Sequence, residues 1–259
     1  MLISEVLAQP FAKRFFVARF ITNYGNGMSP IALAFGILAL PNGSANLLGL
    51  VLGFTTAMFV VMAPFGGVIA DKYGRARVVG LTDMAAGAVL LIQVVYFLTG
   101  QVPVAVLLLV NGCYGLLWGI FWPAFTGIMP TIVPKEGLQE ANAINALMTN
   151  SGLVLGAASA GFLIDIYGAA ITLGIDAATF LLSGIMVFTL RHLDNMTRDL
   201  EKWWVNERKS RVPSIDEAAT VVARVMSRHL GCERLVEDMV DAEIAGVIRF
   251  EIGGGNSAQ

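Results

Sequence analysis

The side chains in this chain that could do chemistry are few, and most stand in apolar surroundings. One group is dense: Gly67, Asp71, Lys72, Gly74, Arg75 and Arg77 fall within residues 67–77. A carboxylate beside three cations, with glycine at both ends, suits an ion-paired turn between closely packed helices. Arg19, Asp83 and Asp176 stand singly in apolar runs, where a charge is costly and marks an ion or ligand pathway by default. Asn23, Asn26, Asn111, Trp118 and Trp122 supply amides and aromatic faces of the kind that line a pocket for a bulky, partly apolar ligand. Their alternative use is ordinary: amides bond across helices, and tryptophans sit at a membrane interface.

Catalytic constellations are missing from the sequence. His192, His229, Cys113 and Cys232 have no partners at ligand or disulfide spacing. No Ser/His/Asp or Cys/His set is visible. The chain is therefore expected to be no enzyme, and to hold no metal and no cofactor.

Composition says what must position these residues. Of 259 residues, 56% are hydrophobic and 14% charged, with a mean hydropathy of +0.71. A soluble domain carries about 25% charged residues, so lipid is part of the solvent here. No basic stripe points to nucleic acid. Six segments, at 15–40, 47–69, 79–99, 103–128, 140–165 and 169–190, reach the roughly 20 apolar residues needed to cross a hydrocarbon core. Backbone polar groups cannot go unpaired in lipid, so these are helices. A β-barrel would need strict alternation, and runs such as 105–110 (AVLLLV) do not alternate.

Loop charges orient the spans. Lys13 and Arg14 precede the first, Lys72, Arg75 and Arg77 follow the second, Lys135 follows the fourth and Arg191 follows the sixth. The three intervening loops hold no Lys or Arg. By the positive-inside rule both termini are cytoplasmic, in a multi-pass protein of the cell (inner) membrane. The first apolar stretch is too long for a cleaved signal and reads as a retained span.

The run from Gly66 to Arg77, GGVIADKYGRAR, resembles the signature G-x-x-x-D-[RK]-x-G-R-[RK] of the major facilitator superfamily, and it lies between the second and third spans, as in that family. The resemblance extends over about residues 10–193. The stretches from Gly25 to Phe35, from Phe121 to Pro134, and from Leu138 to Gly161 are similar to the family's drug-, macrolide- and siderophore-exporter branch. The resemblance implies an all-α membrane fold, one six-helix half-bundle. It implies a cytoplasmic latch at Asp71, Arg75 and Arg77, and a cavity lined by the first and fourth spans. A plain charged loop with a glycine turn is the bland alternative for the same residues. Two departures stand out: the fifth span keeps Gly156 and Gly161 but lacks the Pro many antiporters carry, and the fourth span lacks an Arg common in proton-coupled members.

Depth refines the single charges. Arg19 and Asp83 sit about 6 Å from the cytoplasmic ends of their spans at 1.5 Å per residue. Arg19 is expected to snorkel to the rim, and Asp83 to pair with Arg19, Arg75 or Arg77. Asp176, a third of the way into the sixth span from outside, is the best proton-site candidate, with packing against a polar neighbour as its equal alternative. Gly49/Gly53, Gly115/Gly119 and Gly152/Gly156 are G-x-x-x-G pairs that permit close helix contacts.

Ten of the 17 Lys and Arg lie from Arg191 onward, which divides a transmembrane part, 1–193, from a charged helical tail, 194–259. Within the tail, Ser214 and Glu217 form a capping box, followed by two amphipathic stretches. The family has two parallel halves, and a parallel homodimer would restore that arrangement. Secondary active efflux of a small lipophilic or amphipathic compound is the leading reading, with membrane lipid, a small-molecule substrate and a second copy as partners. A truncated, non-transporting remnant, scaffold or sensor is the other.

Overall fold

The computed structural model describes residues 3–9, 11–133 and 135–208, with 220–222, 224–225 and 228 beyond them. Two units are resolved by their internal contacts, Met1–Arg191 and His192–Gln259. The expected capping box at Ser214 lies outside the described residues.

The first unit is helical. A short α1 (Ile3–Ala8) precedes α2 (Ala12–Leu38), α3 (Ala45–Tyr73), α4 (Arg75–Thr99), α5 (Val104–Thr126), a single turn α6 (Met129–Ile132) and α7 (Leu138–Phe188). Among the described residues, four helical segments are long and apolar enough to cross a membrane: α3, α4, α5 and Lys135–Phe188. At about 1.5 Å per residue, the 51 residues of α7 would exceed twice a hydrocarbon core of roughly 30 Å. Gly168 resolves this. Its φ of 80° and ψ of 165° are not helical, and they divide α7 into two stretches. That φ is open to glycine at no steric cost.

Punctuation elsewhere is equally local. The Ser44 hydroxyl accepts the Leu47 N–H at 3.1 Å and starts α3. Gly74, with φ 99°, ends α3 and begins α4 in one residue. Pro30, Pro64 and Pro123 lie inside helices, as membrane bundles tolerate.

The helices pack through absent side chains. A Cβ on Gly156 in the first stretch of α7 would run into the Tyr24 carbonyl oxygen of α2, and one on Gly152 would stand 2.8 Å from the Phe20 carbonyl oxygen. A Cβ on Gly119 of α5 would stand 2.7 Å from the Phe59 carbonyl oxygen of α3, and Gly115 meets Thr55 in the same way. In the second stretch of α7, Gly184 lies against Gly80 and Met84 of α4. Two of the three expected glycine pairs are thus real contacts. Gly49 and Gly53 are the correction: nothing lies within 4 Å of a Cβ at either. They sit on α3, where among the described residues only Val51, Gly66 and Ala70 are buried, and Val60, Val61, Phe65 and Val68 are exposed.

Arg14 at the start of α2 donates to the Thr189 hydroxyl just past α7 at 3.1 Å, so both ends of this unit lie together. The helix α8 (Arg191–Arg208), all but its first residue in the second unit, carries Trp203 and Trp204 with ring centroids 6.1 Å apart.

Candidate functional site

The turn between α3 and α4 and the interior of the bundle are two separate sites. At the turn, Gly74 frees Arg75 to open α4 one helical turn from Asp71. Arg75 Nη2 donates to Asp71 Oδ1 at 3.1 Å, and Nη1 donates to the Gly127 carbonyl oxygen at 2.6 Å. Gly127 caps the C-terminus of α5, where unpaired carbonyls give the helix its negative pole and favour a cation. A Cβ on Gly127 would collide with the Arg75 guanidinium. Arg75 therefore fastens the turn to the end of α5, and Gly127 is a residue the sequence reading missed. The tight glycine of α3 is Gly66, whose Cβ would lie 2.6 Å from the Gly119 carbonyl oxygen. Gly67, singled out from sequence, stands at an ordinary 3.9 Å from Pro123. Lys72 extends over the Tyr73 ring at 5.2 Å, and Arg77 is half-buried near the start of α4.

Inside the bundle, α5 presents an aromatic ladder. Tyr114, Trp118 and Trp122 recur every four residues, so they share a helix face. Ring centroids stand 6.0 Å apart from Tyr114 to Trp118, 6.1 Å from Trp118 to Trp122 and 6.0 Å from Trp122 to Phe125. Phe121 stacks on Phe125 at 5.5 Å, and Phe15 of α2 also stacks on Phe125 at 5.8 Å. The ladder borders a cavity of about 510 Å³.

All five expected cavity residues stand on this wall: Asn23, Asn26, Asn111, Trp118 and Trp122. The amides also bond across or along helices. Asn23 donates to the Arg19 carbonyl oxygen at 2.7 Å, Asn111 donates to Gln93 Oε1 at 3.1 Å, and Asn26 accepts from the Tyr114 hydroxyl at 3.3 Å. The two readings of these residues are therefore not exclusive. Gln93, Tyr114, Phe121 and Phe125 were missed. The last two were legible, since they follow Trp118 at the spacing of one helix face.

Arg19 does not snorkel. It is 4% exposed and lines the cavity, its guanidinium carbon 4.4 Å from the Phe125 ring centroid and 5.0 Å from that of Phe121. The position faces α5 rather than the rim, and aromatic faces stand in for interfacial water. Asp83, also buried and on the cavity wall, accepts from the Ser183 hydroxyl at 3.1 Å. Of its three expected cationic partners, it is Arg19 that lies within electrostatic reach.

Asp176 sits deeper in the helix packing. It is fully buried, and neither carboxyl oxygen has a hydrogen-bond partner. Its side chain lies where a Cβ of Gly25 in α2 would be, beside the Thr179 hydroxyl. Ser29 is near enough to interact, and Tyr114 lies within electrostatic reach of both Asp176 and Asp83. Among the described residues no group of His, Cys, Asp and Glu could hold a metal ion.

The chain as a whole is similar to known proteins. The family model described as Major Facilitator Superfamily matches residues 15–229, past the point near 193 where the resemblance was expected to stop. The chain is 29% identical over 131 residues to an uncharacterized MFS-type transporter, YfiS, of Bacillus subtilis, covering 51% of this chain and 30% of that protein. It is 24% identical over 180 residues to the staphyloferrin A transporter of Staphylococcus aureus, covering 69% and 45%. It is 25% identical over 191 residues to the enterobactin exporter EntS of Salmonella choleraesuis, covering 74% and 46%. The chain thus spans less than half the length of these relatives. No solved structure matches. With the family model matched across most of its length, and with the signature turn between two apolar helices, the chain belongs to the Major Facilitator Superfamily.

Proposed function

We propose that this chain forms a six-span half-bundle of a secondary active exporter, which carries a small lipophilic or amphipathic compound out of the cell through the aromatic cavity. The observation that carries the reading is the cavity itself: about 510 Å³, with Arg19 and Asp83 set into an aromatic and amide wall. Counting α2 and the two stretches of α7 beside α3, α4 and α5 gives six spans with both termini cytoplasmic, in keeping with the loop charges. The similarity to the enterobactin exporter supports the direction. A non-transporting remnant is not favoured, because it gives no role to the lined cavity.

In this reading a second copy, inserted in parallel, supplies the facing wall. The exposed apolar flank of α3 and the exposed Leu147, Val154 and Leu155 of α7 are where it would pack. Asp71 and Arg75 form the cytoplasmic latch, with Gly67, Lys72, Gly74 and Arg77 around them. Asp176 is the ion-coupling carboxyl.

The test is efflux of a lipophilic fluorescent dye from bacteria stripped of their own pumps, together with the mass of the detergent-purified protein. Efflux and a dimeric mass are expected. A strict monomer without efflux sinks the reading. Asp71→Asn should slow efflux about threefold, the effect of losing an exposed ion pair worth roughly 0.7 kcal/mol, and Arg75→Gln, which also loses the Gly127 carbonyl, about tenfold. Gly127→Ala should match Arg75→Gln, because its methyl displaces the guanidinium, and the double variant should be no worse than either alone. Additive losses would show that Gly127 and Arg75 act separately.

A further inference from the structure

We propose that the cavity selects an amphiphilic organic anion, a carboxylate carried on a flat aromatic body. The proposal rests on reading the cavity as the ligand's site, and it adds the ligand's charge.

Arg19 carries the argument. A guanidinium offers five N–H donors in a planar fork that matches a carboxylate. The Arg19 side chain lines the cavity, 4% exposed, and neither Nε nor Nη1 has a hydrogen-bond partner. A ligand carboxylate that accepts from these donors forms charge-assisted hydrogen bonds, roughly twice as strong as neutral ones. Asp83 lies within electrostatic reach but does not close on Arg19, and one of its oxygens is held by Ser183. The positive charge is therefore incompletely balanced at contact range.

The rings argue against a cation. Aromatic faces attract positive charge, but the place over Phe121 and Phe125 is already filled by the Arg19 guanidinium. A cationic ligand would meet a like charge there, in a low dielectric where it is poorly screened. An aromatic anion has no such conflict. Its ring packs on the faces and edges of Trp118 and Trp122, and its carboxylate reaches the guanidinium.

The experiment is equilibrium binding to the full chain in mild detergent, with three probes of one shape: naphthoate, naphthamide and naphthylmethylammonium. Naphthoate is expected to bind about tenfold tighter than naphthamide, with the ammonium weakest. Arg19→Gln should weaken naphthoate about tenfold, leave naphthamide unchanged and abolish the preference. Arg19→Lys should keep part of it, as a charge without the fork. Asp83→Asn should tighten naphthoate about threefold, an effect opposite in sign to a general loss of structure. Tightest binding of the ammonium would overturn the proposal and move the ligand's charge to Asp83. So would an equal loss for all three probes in Arg19→Gln. If none of the probes binds while dye efflux persists, the charge assignment fails and the transport reading stands. If binding and efflux are both missing, both fail.

Discussion

Alanine at Gly156 is expected to destabilise the bundle by about 3 kcal/mol, the upper range for overpacking a well-filled interface. Alanine at Gly49 should leave it unchanged or raise stability by up to about 1 kcal/mol, the intrinsic gain of Ala over Gly within a helix. The two residues occupy the same kind of motif. The difference is what a methyl group would meet. At Gly156 it runs into the Tyr24 carbonyl oxygen, and the next nearest atoms are the Tyr24 carbonyl carbon at 2.9 Å and the Gly27 Cα at 3.2 Å. All three are backbone, so no rotamer change relieves the clash, and α2 must move away from α7. At Gly49 nothing lies within 4 Å. Thermal unfolding in detergent, with the folded fraction measured by size exclusion, separates the two. Equal midpoints for Gly156→Ala and the parent chain would refute the α2–α7 packing. A large loss in Gly49→Ala would show that the Gly49 face of α3 is covered by something outside the single chain.

That contrast shows where the sequence is legible. Spacing reports that small residues share a helix face, but not which helix they face. Gly49/Gly53 and Gly152/Gly156 are the same pattern on two different helices, and the deciding information is long-range. Gly74 and the break between the last two apolar stretches were readable because they are local: glycine between two apolar runs, at a φ that other residues resist. The charged turn was readable for the same reason, with Asp71 and Arg75 four residues apart. Its anchor on Gly127 was not, because 52 residues separate donor and acceptor.

Arg19 marks the other limit. A cation a few residues inside an apolar helix is consistent with snorkelling and with burial. Which occurs depends on the direction of the side chain around the helix, set here by Phe121 and Phe125 on a different helix. The Phe pair belonged to the same periodic face as Trp118 and Trp122. Extending that register would have found the ladder, though not the charge that rests on it.

Replacing Asp176 with asparagine is expected to abolish ion-driven accumulation while sparing exchange of substrate across the membrane. Asparagine keeps the shape that fits against Gly25, so the packing of α2 on the second stretch of α7 should survive. The Ser29 hydroxyl beside it can donate to an amide oxygen as it does to a carboxylate, and burying a charge costs more than burying an amide. Stability should therefore stay within about 1 kcal/mol of the parent chain or rise. What the amide cannot do is exchange a proton. In the proposed coupling role Asp176 makes that exchange, with Ser29 and Tyr114 within reach of its carboxyl. The chain reconstituted in vesicles gives the two readouts. Accumulation driven by a pH gradient should fall more than tenfold, whereas exchange of labelled for unlabelled substrate at equal pH should change by less than about twofold, since exchange needs no net proton movement. Asp83→Asn serves as the internal comparison and should retain gradient-driven accumulation, because its carboxyl faces Arg19 and Ser183. Full accumulation by Asp176→Asn, together with loss in Asp83→Asn, would transfer the coupling role to Asp83. Loss of both readouts in Asp176→Asn would assign the residue to the packing of α2 on α7 instead.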